Sequence, residues 1–190
     1  MLKHLFISKV RIRILEKFYL NPSTSYHVRG MVRELNEEIN AVRRELINLE
    51  AIGILKSKRD KNKLVYKLTD DCIIFHELQS MFVKNSKLGK KIVERASEIE
   101  GLDALIITKN FLNDEPTPED DIDMLFLGDA RIKDIKDTIS ELEKDLEKEL
   151  KATAMKKEDF DFAKKKKDPI VMNLLKQDII LIYGNLNALL

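Results

Sequence analysis

Two carboxylates separated by one residue are the clearest chemical feature in the second half of the chain. Asp121 and Asp123 stand at the start of an apolar segment, 122–128, that is typical of a β-strand. Because side chains alternate along a strand, both carboxylates are expected on one face, where oxygen ligands can hold Mg²⁺ against substrate phosphates. A D-x-D pair also occurs by chance in acidic loops, so the pair by itself predicts a candidate metal site and no particular reaction.

The first half of the chain carries a different candidate surface, on a helix predicted to begin after the cap residue Asn36. Apolar residues recur on one face of this helix, at Ile39, Val42, Leu46 and Leu49. The outward face presents Asn40, Arg43, Arg44 and Ile47. Arginine can contact guanine edges or phosphates, and asparagine can pair with adenine, so this face is a candidate for base recognition in DNA.

A β-hairpin with a basic tip is predicted directly after this helix. Two alternating segments, 54–58 and 64–68, flank the tip. The basic candidates for phosphate or minor-groove contact are Lys58, Arg59, Lys61 and Lys63. Upstream, Ser8 is expected to cap a helix that ends near Tyr19, and a short helix is expected over 28–35. Three helices followed by a basic hairpin indicate a winged helix-turn-helix, in which the second helix of the pair enters the major groove.

The uneven distribution of charge along the chain indicates that its two ends bind different partners. Residues 1–70 carry an excess of seven positive charges and residues 101–190 an excess of six negative ones, although the whole chain has a net charge of +1. Glu37 and Glu38, expected in the first turn of the recognition helix, would repel phosphate and argue against tight binding to DNA. The alternative is therefore a small helical domain that contacts protein, with its charges on a solvated face.

Composition excludes several classes of protein. A hydrophobic content of 44% with 35% charged residues is typical of a globular protein and not of a disordered one. The single cysteine, Cys72, excludes an intramolecular disulfide framework and a cysteine-rich zinc site. No apolar run approaches the roughly 20 residues that span a bilayer, and the start lacks a secretory signal pattern. We expect a cytoplasmic protein without membrane contact.

Residues 72–100 are expected to form a helical connector with a break at Leu88-Gly89. The segment 73–86 is apolar on more than one side, so it needs a second surface to cover it. The preferred interpretation is that this segment forms the interface of a homodimer. The alternative is that it packs against the winged helix of its own chain. The predicted domains are thus 1–71, 72–100 and 101–190.

Strands and helices alternate in residues 101–190, which predicts an α/β domain with a small mixed sheet. The expected strands are 102–108, 122–128, 152–155 and 179–183, and the expected helices are 132–150, 158–167 and 170–175. The fold class is therefore multidomain α/β, with a winged helix-turn-helix, a helical connector and this C-terminal domain.

The N-terminal third resembles the ArsR-like winged-helix regulators. The resemblance is carried by residues 5–15 with Asn21-Pro22, by 40–46 and by 49–55. More narrowly, these segments are similar to a prokaryotic group in which the winged helix precedes a minimal nucleotidyltransferase. This resemblance implies a dimer on double-stranded DNA.

The C-terminal part resembles the minimal nucleotidyltransferase domain of the DNA polymerase β-like superfamily. The similar segments are 105–108, 117–119, 121–123, 168–171 and 179–184, so the two resemblances together cover nearly the whole chain. They imply that Asp121 and Asp123 bind Mg²⁺. In that family a Gly-Ser pair twelve residues before the first aspartate grips the nucleotide phosphates, and here that position holds Lys109 and Asn110.

The chain departs from the family at its phosphate grip and at its third carboxylate. Lys109 and Asn110 supply neither the space of glycine nor the hydroxyl of serine. An expected Arg-Gly pair falls on residues 113–114, which are Asn-Asp, and the third carboxylate falls near Lys151. Lys109 is a candidate to pair with Asp121 or Asp123 in place of a metal.

We therefore expect a pseudoenzyme domain joined to a DNA-binding transcriptional regulator. The degenerate nucleotidyltransferase-like domain would sense a nucleotide or other ligand, or hold a protein partner. The alternative is an active Mg²⁺-dependent nucleotidyltransferase that modifies a protein or a small molecule.

Overall fold

The computed structural model describes residues 2–69, 71–112 and 117–185, and it divides the chain into two compact units. The N-terminal unit comprises residues 1–86 and the C-terminal unit residues 87–190. Within the described residues, each unit contains one β-sheet, of three strands in the first and four in the second. The chain is therefore a mixed α/β protein, and the two units are described separately.

The N-terminal unit has the helices and the hairpin of a winged helix-turn-helix. Its helices are α1 (Leu2–Leu5), α2 (Lys9–Leu20), α3 (Val28–Leu35), α4 (Ile39–Ala51) and α5 (Phe75–Asn85). Its strands are β1 (Tyr26–His27), β2 (Leu55–Asp60) and β3 (Lys63–Leu68), antiparallel in the order β1-β3-β2. Ser8 caps α2 as predicted, because its side chain accepts the N–H of Arg11 at 3.2 Å.

The predicted start of α4 was wrong. Asn36 is the C-cap of α3, in the left-handed conformation with φ 50°, which asparagine tolerates better than most residues. Glu38 is the N-cap of α4, and its carboxylate accepts the backbone N–H groups of Asn40 at 2.8 Å and Ala41 at 2.9 Å. Ile39, expected on the buried face, is 37% exposed because it opens the helix beyond the core. Gly53 follows the C-cap residue Ile52 with φ +76°, the left-handed conformation that favours glycine directly after a helix.

Helix α5 belongs to the core of the N-terminal unit. Phe82 is fully buried, and its ring stacks on Tyr19 with centroids 5.5 Å apart and planes inclined by 8°. Phe6 also contacts Phe82, at 5.9 Å between centroids, and Phe75 contacts Tyr19 at 5.6 Å. The alternative interpretation of residues 73–86, packing against the chain's own winged helix, is thus what the structure shows for one side of α5.

The expected connector over residues 72–100 is divided between the two units. The helical break lies at Ser86, which has an extended backbone, and not at Leu88-Gly89, which lie inside the next helix. The aromatic contacts of α5 hold its residues in the first unit, whereas α6 (Lys87–Glu98) packs on the sheet of the second. Ile92 and Ala96 of α6 are fully buried there.

The C-terminal unit is the α/β domain with a mixed sheet that the pattern predicts. After α6 its helices are α7 (Ile132–Leu146), α8 (Lys157–Lys166) and α9 (Pro169–Lys176). Its strands are β4 (Leu102–Thr108), β5 (Met124–Gly128), β6 (Ala152–Met155) and β7 (Ile179–Gly184), in the order β6-β5-β4-β7. Strands β5 and β6 are parallel, and the other two pairs are antiparallel.

Helices cover both faces of this sheet. One face packs against α8 and α9 through a buried cluster that contains Ala104, Ile106, Ile122, Leu125, Leu127, Phe160, Val171 and Leu174. Alternation along the strands turns Leu105, Ile107, Met124 and Phe126, which are at most 1% exposed, towards the other face. Helices α6 and α7 contact the strands and supply the second layer.

Two boundaries in this unit differ from prediction by more than one residue, and they define its polar site. Helix α7 ends at Leu146 and not near residue 150, because Glu147 takes a left-handed conformation with φ 51°. Strand β5 begins at Met124 and not at Ile122, so Asp123 precedes the strand. The N–H of Asp123 donates to the carbonyl oxygen of Lys151 at 2.7 Å. These turns bring the segments around residues 123 and 151 together.

Candidate functional site

Helix α4 turns its predicted DNA-contacting side chains outward. Val42, Leu46 and Leu49 on its inner side are fully buried. Asn40, Arg43 and Arg44 are exposed on the opposite side, as the periodicity predicts. A helix that buries one side completely and exposes two arginines and an asparagine on the other can present them together to the major groove.

The hairpin of β2 and β3 carries the second group of basic side chains. Lys58, Arg59, Lys61 and Lys63 are all exposed. The strands pair from Leu55 with Leu68 to Asp60 with Lys63, so Lys61 and Asn62 form the two-residue turn. Lys61 has φ +52°, as tight hairpin turns require. This register places the basic candidates along the tip of one projecting hairpin.

The two acids that argue against DNA binding have local partners in the structure. Arg13 donates to the carboxylate of Glu37 at 2.5 Å. The carboxylate of Glu38 accepts two backbone N–H groups at the start of α4. Both negative charges are therefore compensated in part, which weakens the repulsion of an approaching phosphate.

A buried carboxylate fixes α4 against α2. Glu45 is 4% exposed, and Nε of Arg11 donates to its Oε2 at 2.8 Å. Burial raises the pKa of Glu45, but hydrogen bonds from Ser8 and Arg11 and the charges of Arg11 and Arg44 outweigh it, so the pKa lies below 4.5. Sequence reasoning missed this residue, although an acid between Val42 and Leu49 on the apolar face was a signal.

A second carboxylate joins α4 to the hairpin. Oε1 of Glu50 accepts the hydroxyl of Ser57 at 2.5 Å and the backbone N–H of Ser57 at 3.2 Å. Glu50 lies in the last turn of α4, and Ser57 lies in β2. The helix and the hairpin are thus held by side-chain contacts in addition to the connecting turn.

The candidate metal site in the C-terminal unit is built around Asp123, which is fully buried. Its Oδ1 accepts the hydroxyl of Thr117 at 2.6 Å, and its Oδ2 accepts the backbone N–H of Lys151 at 2.8 Å. The ammonium nitrogen of Lys148 lies 3.6 Å from Oδ1. Both carboxylate oxygens therefore have partners within the protein.

Asn110 links this carboxylate to Asp121. Its side-chain amide donates to Oδ2 of Asp121 at 3.3 Å. Its backbone carbonyl oxygen accepts a hydrogen bond from the ammonium of Lys148 at 3.0 Å. Lys109 is exposed and begins the short 3-10 helix Lys109–Leu112. The structure thus places Lys148, and not the expected Lys109, beside Asp123.

These residues do not fit Mg²⁺. The ion binds its oxygen ligands at about 2.0–2.1 Å, whereas the ammonium of Lys148 already lies beside Oδ1 of Asp123 and the backbone carbonyl oxygen of Asn110. Lys151, near which the resemblance predicts the third carboxylate, donates its N–H to Asp123 and its ammonium to the backbone carbonyl of Pro118 at 2.9 Å. Within the described ranges, no group of three or more His, Cys, Asp or Glu side chains could hold a metal ion. The Asn-Asp pair expected to alter the phosphate grip, 113–114, lies outside the described residues.

No helix in the part of the chain that the structure describes has the length and apolar character needed to cross a membrane.

Comparison with known proteins gives partial matches. No family model matches the chain. An uncharacterised HTH-type transcriptional regulator of Methanocaldococcus jannaschii is 37% identical over 51 residues, which are 27% of this chain and 13% of that protein. This is weak homology to a helix-turn-helix regulator, and it spans a small part of the relative's length.

Three similar solved structures each overlap with less than half of the chain. Reduced HlyU from Vibrio cholerae has 16% identity and a TM-score of 0.33 over 44% of this chain and 81% of its own. Disulfide-formed AbfR has 22% identity and a TM-score of 0.32 over 45% of this chain and 62% of its own. Human N-acetylserotonin methyltransferase in complex with SAM has 13% identity and a TM-score of 0.28 over 48% and 31%. These TM-scores are too low to assign a function, and the nucleotidyltransferase resemblance stays a prediction.

Proposed function

We propose that this chain is a transcriptional regulator whose N-terminal unit binds double-stranded DNA as an ArsR-like winged helix. The observation that supports this most directly is the exposed face of α4, with Asn40, Arg43 and Arg44, on a helix whose other side is buried. In this proposal α4 enters the major groove and reads base edges there. The exposed basic residues of the hairpin contact phosphates or the minor groove.

Charge supports the same assignment. The first 70 residues carry an excess of seven positive charges, and each phosphate that such a surface neutralises releases counterions and makes binding dependent on salt. The side chains of Glu37 and Glu38 are engaged by Arg13 and by the start of α4. The surface that faces DNA is therefore governed by its lysines and arginines.

Replacing both Arg43 and Arg44 with alanine is expected to weaken DNA binding by at least roughly tenfold at moderate salt, because each arginine contributes about 1–3 kcal/mol where it contacts a base in two places. Fluorescence anisotropy with DNA from upstream of the protein's own gene, measured over a salt series, gives both the affinity and the salt slope. If the arginines contact phosphates instead, the slope falls by about two units and discrimination between sequences is unchanged.

The matched control replaces Lys133 and Lys136 with alanine. Both lysines are exposed on α7, so the control removes the same charge from the C-terminal unit. An equal loss of DNA affinity in the two double variants would indicate a general effect of net charge. No loss in the arginine variant would show that α4 is not the recognition helix.

In the same proposal, the C-terminal unit is a degenerate nucleotidyltransferase-like domain that binds a nucleotide or a protein partner and acts as a pseudoenzyme. Lys109 and Asn110 at the phosphate grip support this, together with the engaged carboxylate of Asp123. The ammonium of Lys148, 3.6 Å from Oδ1 of Asp123, argues against Mg²⁺-dependent nucleotidyl transfer, because it occupies the place of a metal beside that carboxylate.

The proposed regulator is a homodimer that uses the residues before α5. Ile73 is 96% exposed and Ile74 is 51% exposed, although α5 itself packs on α2. We expect light scattering after size-exclusion chromatography to give about twice the chain mass of 22.1 kDa at micromolar concentration. Replacing Ile73 and Ile74 with aspartate should shift the protein towards the monomer, because buried carboxylates would oppose the apolar contact.

The control for this experiment is Ile132→Asp. Ile132 is 66% exposed and lies in the C-terminal unit, so it tests the effect of an added charge at an exposed isoleucine. A single 22.1 kDa species for the unaltered protein would contradict the dimer.

A further inference from the structure

Lys148 stands at a turn that directs its side chain into the C-terminal unit. Helix α7 ends at Leu146, and the N–H of Lys148 donates to the carbonyl of Glu143 at 3.3 Å. The side chain of Lys148 is only 20% exposed. Its position follows from the left-handed residue before it, because a longer helix would carry the ammonium elsewhere.

The ammonium of Lys148 lies between two oxygens from distant parts of the chain. It is 3.0 Å from the carbonyl oxygen of Asn110 and 3.6 Å from Oδ1 of Asp123. A fully buried carboxylate is costly unless hydrogen bonds and an opposite charge compensate it. The hydroxyl of Thr117 and the N–H of Lys151 are neutral donors to Asp123, so Lys148 supplies the positive charge.

A divalent cation at this place would need the same oxygens. Mg²⁺ binds oxygen ligands at about 2.0–2.1 Å, closer than an ammonium does. A metal ion that used Oδ1 of Asp123 and the carbonyl of Asn110 would therefore overlap with the ammonium of Lys148. The internal cation and a metal ion exclude each other.

We propose that Lys148 is a built-in replacement for a divalent cation, so that the C-terminal unit keeps its buried aspartate without binding metal. The ammonium joins the segment after β4, the start of β5 and the end of α7, which are also the segments that a metal would hold together. This inference goes beyond the proposed DNA binding and does not depend on it.

The test compares Lys148→Met with Lys144→Met in the full chain, by differential scanning calorimetry with and without millimolar Mn²⁺. Lys144 lies on α7 and is exposed, so its replacement removes the same charge from the surface. Without metal, Lys148→Met is expected to melt roughly 10 °C lower than the control, because the carboxylate of Asp123 loses its counter-charge. Mn²⁺ should raise the melting temperature of Lys148→Met and leave the unaltered protein and Lys144→Met unchanged.

A double variant, Asp123→Asn with Lys148→Met, separates lost charge compensation from lost packing. Its melting temperature is expected to be higher than that of Lys148→Met and not to change with Mn²⁺. If Lys148→Met does not fold, a folded double variant shows that the single variant lost charge compensation and not packing. The proposal is overturned by Mn²⁺ stabilisation of the unaltered protein that Asp123→Asn removes. It is also overturned if Lys148→Met has the same melting temperature as Lys144→Met, or if Mn²⁺ does not raise the melting temperature of Lys148→Met.

Discussion

Replacement of Phe82 by alanine is expected to lower the free energy of unfolding of the N-terminal unit by about 3–5 kcal/mol. The side chain is fully buried, stacked on Tyr19 and in contact with Phe6. Removing the ring leaves a cavity between α5 and α2 that these neighbours can fill only in part. Because α2 also packs on α4, DNA binding should be lost under conditions in which the variant is partly unfolded.

Urea unfolding followed by circular dichroism measures this effect. Phe162→Ala is the matched control, since Phe162 is 62% exposed on α8 and loses the same ring. We expect its effect to stay within about 1 kcal/mol, as for most surface substitutions. If Phe82→Ala and Phe162→Ala unfold at the same urea concentration, α5 does not contribute to the stability of the N-terminal unit. Residues 72–86 would then behave as part of the separate connector that the sequence predicts.

Periodicity predicts the elements of this fold well where apolar residues are bounded by clear breaks. Strands β4 and β6 have the predicted bounds, Leu102–Thr108 and Ala152–Met155, and α3 has its predicted bounds of Val28–Leu35. The polar face of α4 was also predictable, since three of its four expected inner residues are fully buried. In these segments the local pattern and the packing agree.

The residues that flank helices were harder to predict where one other than glycine takes the left-handed conformation. Asn36 ends α3 with φ 50°, and Glu147 ends α7 with φ 51°. Glycine is the usual sequence signal for such a position. Without that signal, the sequence predicted that Asn36 caps α4 and that α7 continues to residue 150, so the N-cap of α4 and the turn that places Lys148 were both missed.

The polar contacts of both candidate sites join residues that are distant in sequence. Glu45 contacts Arg11 across 34 positions, and Lys148 contacts Asn110 across 38. Periodicity within a segment carries no information about which charge will meet which across the fold. The family resemblance assigned the carboxylate to Asp123, but only the packed structure shows which cation lies beside it.

Replacing Glu45 with glutamine is expected to destabilise the N-terminal unit by about 2 kcal/mol at neutral pH, because charged hydrogen bonds from Arg11 and Ser8 are weakened at a buried position. Glu34→Gln is the control in the same unit. Its pair with Lys17, at 2.7 Å, has side chains that are 33% and 42% exposed, so the change should cost no more than about 1 kcal/mol. Urea unfolding at a series of pH values measures both variants.

The pH dependence of this difference has a definite direction. The folded protein holds the pKa of Glu45 below 4.5, so the folded state binds a proton less readily than the unfolded chain. The stabilisation is therefore fully present above about pH 4.5 and is lost as the pH falls through the lower pKa of the folded state. The gap between the unaltered protein and Glu45→Gln should be constant near neutral pH and should shrink in acid. A gap that widens in acid would mean that burial, and not Arg11, controls this carboxyl group. In that case α4 would be held against α2 by apolar packing alone.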